Sequence, residues 1–358
     1  MALLPALGLL LLLSGCSDDT PAVLAPSTAE ASLPAEFSAP QPPQLHPPSP
    51  AVLAADESTA APELDADPGE RRRYKAGEDP EFARQCGWPV AMPEPLPGAL
   101  LPAKRLVAYY GNPNSRRMGV LGEYDKEEML SRLLAKAKAW EEADPAVPVQ
   151  PALHLVAVVA QGTPGKAGKY RMIMPDAVVN RVYEWAQEVG AVLFVDIQPG
   201  HDDIRALLPR FEWILQHPDV HLGIDPEFNM GAGGNVPGTK IGSIDADDIN
   251  YAADYLAELV RRHNLPPKVF VVHRFTRRMV TNASEVKLRP EVQVVMHMDG
   301  WGASWLKRDT YKDYIVKEPV QYAGFKLFYH NDTKKGDPLM HPDDVLRLQP
   351  QPLYIQYQ

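Results

Sequence analysis

The sequence predicts an α/β protein whose main body is a (β/α)8 TIM barrel, preceded by a short apolar leader and a disordered tether. Three observations carry this reading. Eight short apolar runs alternate with helical patterns across residues 104–358, the count and span of that fold. The first run ends at Gly111-Asn112-Pro113, which does not fit a dinucleotide-binding fingerprint and so disfavours a doubly wound open sheet. The runs also end in polar residues, as strands do where a barrel binds its ligand.

Composition narrows the partners. The chain has 358 residues and a net charge of −10. No basic stripe exists to neutralise phosphates, which argues against a nucleic-acid binder. The tight basic run Arg71-Arg72-Arg73 lies in low-complexity sequence and reads as a solvated patch. Only Cys16 and Cys86 are present, too few for a disulfide framework or a Cys-rich zinc site. Cys86 reads as a buried, inert thiol.

Residues 1–15 read as a signal peptide. The apolar run closes with Leu13-Ser14-Gly15-Cys16, which resembles the bacterial lipobox. That resemblance implies cleavage before Cys16, lipidation of its thiol and an extracytoplasmic, membrane-anchored protein. No Lys or Arg precedes Leu13, a departure from the usual positive start of such signals. The run is too short for a stable transmembrane helix. Residues 16–80 are rich in Ala, Pro, Ser, Asp and Glu and cannot bury enough apolar surface to order themselves. They read as a tether. Residues 81–103, with Phe82 and Trp88, form an extension expected to pack on the outside or bottom of the barrel.

The elements follow in order. Residues 106–110 form the first strand, and 123–143 a helix with Met129, Leu133, Leu134, Ala137 and Trp140 near helical spacing. Residues 153–159 are the second strand. Asp176 opens a helix to Gln187 as its cap. Residues 191–197 are the third strand, and Asp202 or Asp203 opens a helix to Leu215 that Pro209 makes irregular. Residues 220–228 contain the fourth strand, with Pro226 marking where its ladder stops because proline lacks the N–H. A Gly-rich loop, 230–242, precedes an amphipathic helix at 244–263. The fifth, sixth, seventh and eighth strands are 268–273, 292–299, 325–330 and 353–357. The fifth connection is short and irregular, 304–314 and 341–348 are helical, and no helix follows the last strand.

The strand ends assemble a polar ring. It contains Tyr110, Gln161, Asp196 with Gln198, Asp225 with Glu227, His273, His297 with Asp299, Tyr329 or His330, and Gln356. In a barrel these converge on one mouth whatever their separation in sequence. An acid at a strand end often only caps the next helix, but the third, fourth and sixth runs each end in one. Glycoside hydrolysis needs one carboxylic acid to protonate the leaving oxygen and a second group to stabilise or attack the sugar carbon. Glu227 is the candidate acid, because the Asp225 carboxylate beside it would raise its pKa. Asp299 or Asp196 is the candidate second group. Tyr110, Trp301 and Tyr329 are candidate platforms for sugar rings, with Gln161, His273 and Gln356 as further substrate contacts.

A family resemblance attaches to two of these stretches. Gly223-Ile224-Asp225-Pro226-Glu227 resembles the end of the fourth-strand motif of chitinase-like (family 18) glycoside hydrolases, with Gly223 where that family has its first Asp. Met296-His297-Met298-Asp299, before Gly300-Trp301-Gly302, resembles the sixth-strand motif, with Met298 where a Tyr is usual. The resemblance implies that Glu227 is the general acid, that Asp225 holds and polarises an acetamido group, and that Asp299 assists it. Two other classes stay open. Asp196, Asp225, Glu227, His273, His297 and Asp299 offer oxygen and nitrogen donors for a divalent metal and hence a metal-dependent hydrolase, although no His-x-His or His-Glu-x-x-His motif is present. A non-catalytic surface lipoprotein that binds a glycan or another extracytoplasmic ligand is the third.

Overall fold

The computed structural model describes residues 74–358. The signal, Cys16, the basic run at 71–73 and most of the proposed tether lie outside the described residues. Eight parallel strands close on themselves. They are β1 (Arg105–Gly111), β2 (Val149–Ala160), β3 (Val192–Ile197), β4 (Val220–Ile224), β5 (Lys268–Arg274), β6 (Val292–Met298), β7 (Tyr322–Leu327) and β8 (Tyr354–Tyr357). Each pairs with the next, and β8 pairs with β1 from Leu106↔Tyr354 to Tyr109↔Tyr357. That last ladder leaves no free edge and makes the sheet a (β/α)8 barrel.

The strands are buried on both faces, as parallel strands are when helices cover one side. Alternation of side chains divides the core in two. Leu106, Ala108, Ala152, Val192, Phe194, Val269, Val271, Val295, Tyr322 and Tyr354 pack together inside the barrel. Val107, Leu153, Leu193, Leu222, Phe270, Val294 and Phe325 pack outward against the helices. Leu101 joins the inner cluster from the N-terminal extension. Gln293 holds it there: Oε1 accepts from the Leu100 and Leu101 N–H groups, and Nε2 donates to the Leu101 carbonyl. The extension also anchors through Trp88, whose indole N–H donates to the Val316 carbonyl at 3.0 Å.

The helices follow their sequence signals with a few differences. The helix Lys126–Ala143 buries Met129, Leu130, Leu133, Ala137 and Trp140 and leaves Leu134 in solvent. Asp176 is the first residue of the helix Asp176–Glu188 and makes no capping hydrogen bond, because Pro175 occupies the cap. Asp203 does cap, accepting from the Arg205 N–H at 2.8 Å. Pro209 breaks that segment into Ile204–Leu207, a 3-10 turn at Leu208–Phe211 and Glu212–Leu215. The next long helix is Ala246–His263, capped by Asp245 and closed by Asn264 in the left-handed region at φ 51°. The fifth connection contains only 3-10 turns and a two-residue strand, Val280–Thr281.

Candidate active site

The barrel interior is polar at the C-terminal ends of the strands, with Tyr110, Asp196, His273, Asp299 and Lys326 buried there. Hydrogen bonds and ion pairs join strands that are not neighbours in the sheet, so these side chains meet across the lumen. Tyr110 on β1 donates to Asp196 Oδ2 on β3 at 3.1 Å. His273 on β5 lies 3.8 Å from the same carboxylate. His273 Nδ1 contacts Asp299 Oδ2 at 2.7 Å, and Lys326 on β7 contacts Asp299 Oδ1 at 3.0 Å. Lys326 also lies 4.0 Å from the centre of the Tyr110 ring. His154 on β2 reaches the Tyr354 hydroxyl on β8 at 2.5 Å, and Gln356 Nε2 donates to that hydroxyl at 2.9 Å.

Above this layer stand the two acids that follow β4. The strand ends at Ile224, before Pro226, and Pro226–Phe228 is a 3-10 turn. Asp225 caps that turn, its Oδ1 accepting from the Glu227 N–H at 3.1 Å. The turn, rather than strand alternation, therefore brings the two carboxyls together. Gln198 Nε2 lies 3.4 Å from Asp225 Oδ2 and 3.4 Å from the Tyr110 hydroxyl, tying the pair to the layer below. Asp225, Glu227 and Asp299 are only 3%, 9% and 7% exposed, so all three acids are nearly closed off from solvent.

Burial and mutual repulsion separate the charge states of these acids. Burial, then Asp225 and Asp299, push Glu227 well above the usual carboxylate range. Burial likewise raises Asp225, to about 7, against the pull of His273. Burial would raise Asp299 too, but Lys326 and His273 outweigh it and hold Asp299 well below the usual range. Glu227, pushed toward its protonated form, thus shares the mouth with Asp299, held toward its ionised form. Pairs of acids driven apart in this way are the usual division of labour between proton donor and charge stabiliser.

Most of the residues predicted for the mouth are in or just below it: Tyr110, Asp196, Asp225, Glu227, His273 and Asp299. Gln356 is fully buried beneath, against Tyr354 and His154. Trp301 is half-buried in the loop after β6, two residues beyond Asp299. Tyr329 is not at the mouth. β7 ends at Leu327, and Tyr329 packs on the outside of the barrel, stacked on Tyr357 at 5.3 Å and 3.3 Å from the Tyr109 hydroxyl. His330 is exposed and pairs with Glu123. Gln161 also turns away from the acids. Its amide donates to the Val159 and Ala160 carbonyls, in a small cleft lined by Asn112, Ser115, Met118 and Met174.

Sequence reasoning missed His154 and Lys326 as site residues. Both had a signal, as a lone polar side chain inside an apolar run: Leu153-His154-Leu155 and Phe325-Lys326-Leu327. A buried charge needs a partner, and Lys326 finds Asp299. Gly223 and Gly324 make room for this layer. A Cβ at Gly223 would lie 2.5 Å from His154 Nε2 and 2.6 Å from Asp196 Oδ1, and one at Gly324 would lie 2.5 Å from His297 Nδ1. Of the metal-capable donors, His154, Asp196 and His273 bring ligand atoms within 4.8 Å of one another.

No protein-family model matches the chain, and no curated protein matches it. Among solved structures, the cellulase Cel5C_n aligns over 75% of this chain and 76% of its own, at 13% identity and a TM-score of 0.39. The barrel assignment rests on the closed strand pairings themselves.

Proposed function

We propose that this barrel hydrolyses a glycosidic bond, with Glu227 as the general acid. The observation that carries the reading is the opposed pair at the mouth: Glu227, buried beside Asp225 and pushed toward its protonated form, and Asp299, paired with Lys326 and His273 and pushed toward its ionised form. Glu227 gives its proton to the leaving oxygen as the bond from the sugar carbon to that oxygen breaks. The carboxylate so formed takes a proton from the incoming water, which adds to the sugar carbon and restores the acid. Asp225 and Asp299 stabilise the positive charge that develops on the sugar. In the family 18 resemblance Asp225 does so by holding an acetamido group, which makes N-acetylated sugars the first substrates to test. The lipobox-like Leu13-Ser14-Gly15-Cys16 supports lipid attachment at Cys16 and a place outside the cytoplasm, at the membrane surface.

The decisive variant is Glu227→Gln, which keeps the size of the side chain and removes its proton. Assayed on oligosaccharides with and without N-acetyl groups, it should lose about 10²–10⁴-fold in turnover while still binding the oligosaccharide. A parent protein that cleaves none of them, or a variant as active as the parent, rejects the reading. For the anchor, Cys16→Ser should move the protein from the membrane fraction to the soluble fraction of the expressing bacterium. An unchanged membrane fraction removes the lipid from the account.

A further inference from the structure

We propose that His154, Asp196 and His273 form a binding site for one divalent transition-metal ion, set inside the barrel beneath the acids. His154 Nε2, His273 Nε2 and Asp196 Oδ1 are fully buried, and none has a hydrogen-bond partner. One such orphan is costly, and three that converge on one point call for an occupant. His154 Nε2 lies 3.6 Å from Asp196 Oδ1, and His273 Nε2 lies 3.8 Å from Asp196 Oδ2. These separations are too long for hydrogen bonds. The first is close to the roughly 3.3–3.5 Å expected between ligand atoms that each sit about 2.0–2.2 Å from a shared tetrahedral ion, and the ligand atoms of all three residues lie within 4.8 Å of one another.

The surroundings hold the rings as metal ligands are held. Ligating histidines characteristically give their other ring nitrogen to a carboxylate or another oxygen. His273 Nδ1 contacts Asp299 Oδ2 at 2.7 Å, and His154 Nδ1 contacts the Tyr354 hydroxyl at 2.5 Å. With a proton on each Nδ1, both Nε2 atoms present lone pairs toward Asp196. Gln356 fits the same arrangement. Its amide lies 3.2 Å from His154 Nδ1 and 2.9 Å from Tyr354, and its Oε1 has no partner. Turned over, that oxygen accepts from both. Tyr110 occupies Asp196 Oδ2, which leaves Oδ1 as the ligand atom.

The sequence keeps the hollow open. A Cβ at Gly223 would fall within 2.6 Å of both His154 Nε2 and Asp196 Oδ1, so any other residue would fill the space between them. The three ligands stand on β2, β3 and β5, whose positions the sheet fixes. Two imidazoles and one carboxylate select zinc, iron or a similar first-row ion over calcium or magnesium, which prefer oxygen.

The site does not depend on which bond the mouth cleaves, and its test needs no substrate. The purified full chain is analysed for metal, stripped with a chelator, then titrated with Zn²⁺ and Co²⁺ by calorimetry and visible absorption. One ion per chain is expected, with d–d bands of a low-coordinate cobalt site. His154→Gln and His273→Gln should weaken binding at least 100-fold, and Asp299→Asn, which weakens the outer partner of His273 and also uncouples Lys326, about 10-fold or more. Circular dichroism certifies that each variant is folded. Glu227→Gln should bind metal as the parent does, which separates this site from the proposed chemistry above it. A folded parent that takes up no ion, or folded His154 and His273 variants that bind like the parent, overturns the proposal.

Discussion

At the scale of single residues, the acids at the mouth set a measurable pH dependence. Asp225 is raised from 3.8 to about 7 in the fold. An unfolded chain would release this proton near pH 4, so between about pH 4 and 7 the unfolded state binds fewer protons than the native one and stability falls as pH rises. Asp225→Asn cannot ionise and keeps the oxygen that accepts from the Glu227 N–H. The variant should therefore gain on the parent by a few kcal/mol between pH 4 and pH 8, read from denaturant midpoints at the two pH values. A constant difference across that range would mean that Asp225 ionises normally. Removing the Asp225 charge also relieves Glu227, so the alkaline limit of hydrolysis should move to lower pH in the same variant.

At the scale of elements, the polar ends of strands also act through caps. Asp245 accepts from the Asp247 N–H at the start of Ala246–His263 and also from Thr281 and Asn282 beyond β5. It joins one helix start to the irregular fifth connection. Asp245→Ala should cost about 1–2 kcal/mol in urea denaturation, the upper end of a lost cap, and an effect below a few tenths would mean that the tie to Thr281 and Asn282 carries no stability. The strands themselves were legible because each is a continuous apolar run between polar breaks, and the acids were legible because they follow those runs. The inner face was not. Parallel strands buried on both sides lack alternating polarity, so the lone Lys326 was the single mark of the lumen face in the run 325–330. Its apolar character continues past the true end of β7 at Leu327, which placed Tyr329 at the mouth and concealed Lys326. Gly223 was legible only as a departure from a motif. The fold supplies its physical reason, the space taken by His154 and Asp196 on neighbouring strands.

At the scale of the whole molecule, the two ends of the barrel are closed differently. The C-terminal end is closed by charge: Asp225, Glu227, Asp299, Lys326 and the histidines beneath them. The N-terminal end is closed by the extension, with Leu101 set into the inner apolar cluster and held by three hydrogen bonds to Gln293. The extension reaches further back than its apolar residues suggested. The Gly77 carbonyl accepts from Gln349, and Glu78 pairs with Arg308 and Arg347. A barrel interior is a packed core rather than a pore, so removing Leu101 takes a fully buried side chain out of the inner apolar cluster. Large apolar side chains removed from a core cost about 2–5 kcal/mol each, and here Trp88 and the Gln293 bonds go with Leu101. A chain that begins at Lys104 should therefore melt at least 10 °C below one that begins at Tyr74, or fail to fold. The comparison is made by thermal denaturation of the two purified truncations. Equal melting temperatures would mean that β1 to β8 close the lower end by themselves and that the extension only decorates it.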